Sequence, residues 1–242
     1  MAPIILLFGI LPGAIWLLFY LQEDIDHEPV KEILYAFFAG AAITIIVLGL
    51  QNIFSDISAP FISINTFSPI YLFILAGIEE FFKFGAAYLL ISRSKYFNVP
   101  VDAMVYMIVV ALGFATVENI GALQNQFRET AMLSAILGTA TLRFIGATLL
   151  HTLASALVGY YWAKGLIAKR LISRLAIGLF IATSLHATFN FLVLQNQEQI
   201  TYPILLLVIV AFFVMSDFEK LRRVSSDKDS AELFEQAREE AV

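Results

Sequence analysis

Cysteine is absent from the 242 residues, which excludes disulfide bonds, thiolate metal ligands and cysteine nucleophiles. Charged residues are scarce, at 14% of the chain, whereas 60% of the residues are hydrophobic. A soluble globular domain is typically only about 45–50% apolar, so the composition argues against a soluble fold. The sequence also lacks a nucleotide-binding glycine motif and a basic nucleic-acid footprint, and we expect no nucleic-acid partner.

Long apolar runs make up most of the chain. Seven of them approach the roughly 20 helical residues that cross a bilayer core of about 30 Å. Their approximate limits are 2–21, 33–50, 70–92, 103–122, 133–163, 175–194 and 201–215. These runs lack the alternation of a transmembrane β-barrel, and lipid cannot satisfy an open sheet edge. We therefore predict an all-α, polytopic transmembrane helix bundle of about seven spans in a lipid bilayer.

Basic residues are unevenly divided between the two predicted sides of the membrane. If the N-terminus lies outside, twelve lysines and arginines fall in inside segments and only Arg128 falls in an outside segment. The positive-inside rule then places the C-terminus in the cytoplasm. We predict an integral membrane domain over 1–215, with its core over 70–194, and a charged cytoplasmic tail over 216–242.

Ionisable and amide side chains interrupt four of the predicted spans. Each ionisable residue inside a span costs a few kcal/mol on insertion scales, so each is a functional hypothesis. In order along spans three to six they are Glu79, Glu80, Lys83, Glu118, Asn119, Arg143, His151, His186 and Asn190. The interiors of spans one, two and seven carry none. Spans three to six are therefore predicted to form the functional core.

The positions of these residues along their helices predict a layered site. At about 1.5 Å per residue, Glu79, His151 and His186 lie roughly 18–21 Å from the cytoplasmic ends of their spans. Glu118 and Asn190 lie about one turn farther out, at ~24 Å. Four helices therefore bring polar groups to one layer in the middle-to-outer half of the membrane.

Helical geometry separates the roles of the remaining polar residues. Glu79 and Glu80 point about 100° apart, so at most one reaches a common centre directly, while the other can meet Lys83 or a neighbouring helix. Arg143, at about 32 Å, is expected near the outer interface, where it snorkels or binds an acidic group. Asn119 is equally compatible with simple helix packing.

Four motifs in this order resemble those of the PrsW family of bacterial intramembrane proteases. They are Glu79-Glu80-Phe81-Phe82-Lys83, the segment Gly113 to Asn119, His151 with Ser155, Ala156 and Gly159, and His186 with Asn190. That family belongs to a broader group with the CAAX prenyl endopeptidases and Abi proteins. The resemblance implies peptide-bond hydrolysis in a cavity within the bacterial cytoplasmic membrane. For its best-known members it implies first-site cleavage of a single-span anti-sigma factor.

Amide hydrolysis needs an activated water, a stabilised oxyanion and a proton for the leaving amine. Glu79 or Glu80 is the expected general base, with His151, His186 and Asn190 holding the water and the oxyanion. The expected catalytic set also contains Glu118, and its supporting residues are Lys83, Asn119 and Arg143.

Two mechanisms fit this set. His151, His186 and one carboxylate, Glu79 or Glu80, match a catalytic zinc site with an open position. The motif His-Glu-x-x-His is absent, however, and a glutamate-driven mechanism would need no cofactor.

Two other classes of function stay open on the sequence alone. Buried glutamates and histidines also mark proton or ion pathways in transporters, although paired broken helices in repeated halves are not apparent. A catalytically silent membrane scaffold or immunity protein would use the same residues as interhelical hydrogen-bonding groups.

Overall fold

The computed structural model describes residues 2–21, 28–59, 68–130, 132–195 and 200–241, and within those ranges every regular element is a helix. The helices are α1 (Ala2–Leu21), α2 (Val30–Ser58), α3 (Pro69–Ile91), α4 (Asp102–Glu129), α5 (Leu133–Ile167), α6 (Leu171–Gln195), α7 (Thr201–Ser225) and α8 (Lys228–Ala241). The prediction of an all-α fold is confirmed.

Six of these helices, α1, α2, α4, α5, α6 and α7, are long and apolar enough to cross a membrane. The third predicted span corresponds to α3, whose 23 residues also suffice for a crossing. It differs from the other six because it carries Glu79, Glu80 and Lys83, which are all buried in the bundle. The polytopic bundle is confirmed, and the predicted span with three charged residues in its interior is the one that carries two of the candidate catalytic glutamates.

Observed helix limits differ from the predicted ones mainly at α2 and α7. The apolar run of α2 ends at residue 50, but the helix continues to Ser58 and thereby includes Gln51. The last apolar run is short for a span, yet α7 continues through its charged end to Ser225 and reaches 25 residues. Apolar composition ends before the backbone hydrogen bonding does, because polar residues at the membrane boundary still form helix.

The centre of the bundle is α4, which packs against α1, α2 and α5. Every residue from Asp102 to Thr116 is buried. Small residues allow the close approach: a Cβ at Gly40 would overlap the carbonyl oxygen of Val110, and one at Gly113 would overlap that of Phe37. Helices in membranes gain packing energy in this way, because lipid supplies no hydrophobic driving force between them.

A π-helical turn, Arg143–Ala147, interrupts α5 in its N-terminal half. Such turns insert an extra residue, shift the helical register and are frequent at functional sites. Here the turn contains Arg143, and it separates the register of the first ten residues of α5 from that of the segment carrying His151.

The C-terminal helix α8 folds back onto the bundle. Phe234 is fully buried against Phe97, and the Arg238 guanidinium donates hydrogen bonds to the carbonyl oxygens of Ser94 and Phe97 at 2.7 and 2.8 Å. The turn between α3 and α4 is therefore covered by α8, through Phe234 and Arg238.

Candidate active site

Three charged residues of the site, two glutamates and a lysine, lie on α3. Glu80 and Lys83 are both fully buried, and Glu79 is nearly so. The Lys83 ammonium donates a hydrogen bond to Oε1 of Glu80 at 2.6 Å, the i,i+3 pairing expected for one of the two adjacent carboxylates. Glu80 is thus the ion-pair partner of Lys83, and both adjacent glutamates reach the cluster, although helical geometry predicted that only one would.

His151 on α5 joins this pair to a third carboxylate. Its Nδ1 lies 3.2 Å from the Lys83 ammonium, and its Nε2 lies 2.8 Å from Oε2 of Glu118 on α4. An ammonium can only donate, so Nδ1 of His151 accepts and Nε2 carries the proton that it donates to Glu118. The tautomer of His151 follows from its two neighbours.

His186 on α6 contacts both glutamates of α3. Its Nδ1 lies 2.8 Å from Oε1 of Glu80, and since a carboxylate accepts, this nitrogen carries the proton. In the neutral ring, Nε2 then presents a lone pair, and it faces Oε2 of Glu79 at 3.7 Å. The rings of His151 and His186 are perpendicular, with their centroids 5.0 Å apart.

Among the described residues, only one of the two carboxylate oxygens of Glu79 has a hydrogen-bond partner. Gln51 on α2 donates a hydrogen bond from Nε2 to Glu79 Oε1 at 2.9 Å. The other oxygen, Oε2, is buried and has no hydrogen-bond partner among the described residues. When the His186 ring is neutral, two lone-pair atoms, Glu79 Oε2 and His186 Nε2, therefore face each other, with no donor between them in the described part of the chain.

Glu118 is the most accessible carboxylate of the cluster, with 20% of its side chain exposed. It accepts from His151 and, at 3.2 Å, from the Arg143 guanidinium. Arg143 also donates from Nε to Asn119 at 2.5 Å, and Asn119 in turn donates to Thr148 at 3.0 Å. Arg143 thus binds an acidic group, one of its two expected roles, and Asn119 joins α4 to α5.

Asn190 is the predicted site residue that lies apart from the others. It makes no hydrogen bond to the carboxylates or imidazoles of the cluster within the described ranges. It lines a separate, mainly apolar cavity of about 220 Å³, next to the π turn of α5 and shared with Arg143. The spacing of His186 and Asn190 placed both on one face of α6, but that face continues past the cluster.

Two residues at the site had no assigned role in the sequence. Gln51 was excluded because the predicted second span ended one residue before it. Ser155, one turn beyond His151, lies with its hydroxyl 3.5 Å from Oε2 of Glu80. Gln51 carries a detectable signal, since it is a carboxamide one residue beyond an apolar run; Ser155 carries only the i,i+4 relation to His151.

Three of these residues are arranged as metal ligands. One ligand atom each from Glu79, His151 and His186 lie within 4.8 Å of one another, and all three residues are buried. Donor atoms of a tetrahedral zinc site, at about 2.1 Å from the ion, lie roughly 3.4 Å apart. The 3.7 Å between Glu79 Oε2 and His186 Nε2 fits that geometry, and the orphaned oxygen of Glu79 is available as a ligand. Both nitrogens of His151 are already hydrogen-bonded, so its ligation requires exchange of one contact.

Comparison with known proteins identifies the family to which the chain belongs. The family described as PrsW family intramembrane metalloproteases matches residues 28–216. The chain is 27% identical over 221 residues to Protease PrsW of Bacillus subtilis (strain 168), covering 90% of this chain and 95% of that protein. It is 29% identical over 192 residues to Protease PrsW of Geobacillus kaustophilus (strain HTA426), covering 78% and 80%. It is 26% identical over 227 residues to Protease PrsW of Clostridioides difficile (strain 630), covering 90% of each. No solved structure matches the chain significantly.

The family match covers most of the chain and includes all four helices that contribute carboxylates or imidazoles to the cluster. The relatives are bacterial, and the helices are those of a multi-pass membrane protein. This chain is therefore a membrane-embedded endopeptidase and belongs to the PrsW family of intramembrane metalloproteases.

Proposed function

We propose that this protease hydrolyses a peptide bond of a membrane-protein substrate at the buried cluster of Glu79, Glu80, Glu118, His151 and His186, and that a divalent metal takes part. The observation that carries the proposal is the pair of facing lone-pair atoms, Glu79 Oε2 and His186 Nε2, 3.7 Å apart at the centre of the cluster. Two buried acceptors facing each other need a cation, a proton or a water between them, since an unpaired buried acceptor is costly.

The proposed ligands are Glu79, His151 and His186, a two-histidine, one-carboxylate donor set that leaves an open position in a tetrahedral site. A divalent metal bound by them supplies Lewis-acid activation of water and polarisation of the scissile carbonyl. Zinc is the ion that this donor set favours.

The surrounding residues orient the ligands. Glu80 accepts the proton-bearing Nδ1 of His186 at 2.8 Å and so turns Nε2 toward Glu79. Carboxylate–histidine pairs of this kind fix the tautomer of metal-binding histidines and raise their basicity. Lys83 balances the charge of Glu80 at 2.6 Å and keeps the buried carboxylate in place. These two residues act on the reaction through His186 and His151.

Glu118 is the proposed general base. Among the carboxylates of the cluster it has the most exposed side chain, and it accepts a hydrogen bond from the Arg143 guanidinium at 3.2 Å. Glu118 takes a proton from water as the water oxygen bonds to the scissile carbonyl carbon. It returns that proton to the amide nitrogen as the carbon–nitrogen bond breaks, which leaves a carboxylic acid and an amine.

A glutamate-driven mechanism without metal is the second candidate. The free oxygen of Glu79 supports it, because an unpartnered carboxylate oxygen beside His186 can accept a proton from water directly. In this version Glu79 is the base, and the His186 and His151 rings position the water and the oxyanion. The two versions assign different work to the same residues.

The proposed substrate is a single-span membrane protein such as an anti-sigma factor. The cluster lies on helices that cross the membrane, with His151 thirteen residues from Lys164, or roughly 20 Å along α5. A soluble peptide would have to leave water to reach that depth, whereas a transmembrane segment is already there. The resemblance of the sequence motifs to the PrsW family supports an anti-sigma factor as the substrate within that class.

The test is cleavage of a labelled single-span protein by the purified full chain in proteoliposomes, with and without a metal chelator. Cleavage that stops with chelator and returns with added zinc supports the metal-dependent form. Cleavage that persists after the metal content falls to zero supports the glutamate-driven form. Absence of cleavage across a panel of anti-sigma factors and unrelated single-span proteins would contradict the proposed substrate class.

A further inference from the structure

A second pocket lies at the opposite end of the bundle from the π turn, where α5, α6 and α7 reach their basic ends. Its volume is about 240 Å³. Three cations line it, one from each helix: Lys164, Arg174 and Lys220. Proteolysis as described above uses none of them.

The close packing of α5 and α6 explains why the first two cations converge. Gly165 has no side chain, and a Cβ at this position would lie 3.0 Å from Cα of Leu171 and 3.3 Å from Cβ of Arg174. The start of α6 therefore sits directly beside the end of α5. Lys164 and Arg174 are brought to the same pocket although an intervening turn reverses the chain.

Carboxylates do not neutralise this pocket. Lys220 is paired with Asp217 at 2.7 Å on its own helix. Lys164 lies over the ring of Tyr160, 5.1 Å from the centroid, and neither Lys164 nor Arg174 forms an ion pair within the described ranges. With Asp217 counted, the pocket retains two uncompensated positive charges, in a chain whose formal net charge is −5.

The rest of the lining is apolar. Leu221 and Val224 on α7 contribute to the pocket, and Ile167 at the end of α5 is exposed beside it. The pocket lies about 20 Å along α5 from His151, at the boundary where a membrane-crossing helix meets the lipid headgroups. A ligand that fits must combine negative charge with apolar chains at that depth.

We propose that this pocket binds the phosphate of an anionic phospholipid, with the acyl chains lying along α5 and α7. Basic pockets between transmembrane helices on the cytoplasmic side are suited to such headgroups. Arg174 supplies the planar, bidentate donor that matches a phosphate, and Lys164 supplies a point charge. The local positive charge opposes the net charge of the chain, so a specific pocket, and not overall attraction, accounts for the binding.

The experiment uses native mass spectrometry of the full chain, titrated in mild detergent with phosphatidylglycerol or with phosphatidylcholine of the same acyl chains. One phosphatidylglycerol should bind with at least tenfold preference. The double variant Lys164→Gln with Arg174→Gln should weaken it by about 25-fold, since each basic group near a membrane surface contributes about a fivefold factor. Arg174→Lys keeps the charge and should lose less than about fivefold.

The matched control removes two cations from the turn between α3 and α4, as Arg93→Gln with Lys95→Gln. This variant has the same net charge as the test variant and should bind as the wild type does. Equal loss in both variants would mean general surface charge and would overturn the proposal, as would equal binding of phosphatidylcholine. Displacement of the lipid by millimolar inorganic phosphate would identify a phosphate site and also overturn it.

Size-exclusion profiles and circular dichroism establish that each variant is folded before it is titrated. Should Lys164→Gln with Arg174→Gln fail to fold, the two single variants replace it, each expected to weaken binding about fivefold. The proposal does not depend on proteolysis. A chain without peptidase activity can still bind the lipid, and a chain that cleaves its substrate can lack lipid binding, so the two proposals fail separately.

Discussion

Lys83 on α3 donates a hydrogen bond to Nδ1 of His151 on α5 across 3.2 Å, in a part of the bundle where neither side chain is exposed. The same ammonium neutralises Glu80. One buried cation thus sets the charge state of a carboxylate on its own helix and the tautomer of a histidine on another, and through that histidine it orients Glu118.

Replacement of Lys83 by Met should destabilise the protein strongly. The change leaves Glu80 charged and without its cation, and removal of one partner of a buried ion pair typically costs about 3–5 kcal/mol. We expect a lower free energy of unfolding in detergent and a loss of peptidase activity. Lys169→Met is the control, because Lys169 pairs with Glu240 at the surface and such pairs contribute roughly 0–1 kcal/mol. Equal stability of the two variants would show that Lys83 is not an essential counter-ion.

Isosteric substitution of Glu79 and of Glu118 should separate catalysis from folding. Glu79→Gln and Glu118→Gln keep the side-chain volume but remove a ligand or a base, and each should lower kcat by on the order of 10²-fold or more. Both variants should insert and purify normally. Glu219→Gln, on the exposed surface of α7, should cleave at the wild-type rate. Wild-type rates in both test variants, measured on the labelled single-span substrate, would mean that the assigned carboxylates are wrong.

Metal content provides a readout independent of turnover. His186→Ala removes a proposed ligand and should abolish stoichiometric metal in the purified protein, measured by inductively coupled plasma mass spectrometry. Glu80→Gln removes only the carboxylate that orients His186 and should weaken metal affinity by roughly 10–100-fold. If metal content and affinity are unchanged in both variants, the ion is bound elsewhere or not at all.

The glycine contact between α2 and α4 can be tested without reference to activity. Gly113→Ala places a Cβ against the backbone of Phe37 and should cost about 1–3 kcal/mol through overpacking. Gly121→Ala on the same helix is the control, since no described atom lies within 4 Å of its Cβ position. There the change should be neutral or stabilise by up to about 1 kcal/mol. The measurement is unfolding in mixed detergent micelles.

The orientation of the bundle stays a prediction from the positive-inside rule. A reporter fused after Val242 should be active in the cytoplasm, and a reporter inserted after Ala59 should be active outside. Twelve basic residues on one side against one on the other support this arrangement. Outside activity of both fusions would require an even number of crossings between the two reporters, and outside activity of the C-terminal fusion alone would mean that the predicted orientation is inverted.

Much of the site could be predicted from the free-energy cost of placing charged residues inside a membrane span. Each charged residue inside an apolar run is expensive, so Glu79, Glu118, His151 and His186 were identified as a group, and a constant rise per residue placed them at similar depth. The structure brings these four together. Asn190 lines a neighbouring cavity with Arg143 instead, and its catalytic role stays a prediction, because helical spacing gives the face of a side chain but not its partners on other helices.

The sequence did not predict which of these side chains would form ion pairs or hydrogen bonds with one another. Whether Lys83 would pair with Glu79 or Glu80 depends on which carboxylate faces α5, and both spacings are compatible with a helical ion pair. Gln51 was missed for a related reason, since the apolar run ended before the helix did. Arg143 reaches Glu118 from a π turn. No periodicity in the sequence predicts that turn, so this contact could not be predicted either.

The sequence by itself determined the all-helical membrane fold, the four helices that carry the chemistry and the residue types in the site, because hydropathy and the cost of buried charge act locally along the chain. Only the tertiary structure decided which lone pairs face each other. The rotation of each helix about its axis depends on packing across glycines such as Gly113 and Gly40, which are distant in sequence. That rotation leaves Glu79 Oε2 without a partner among the described residues and turns it toward His186.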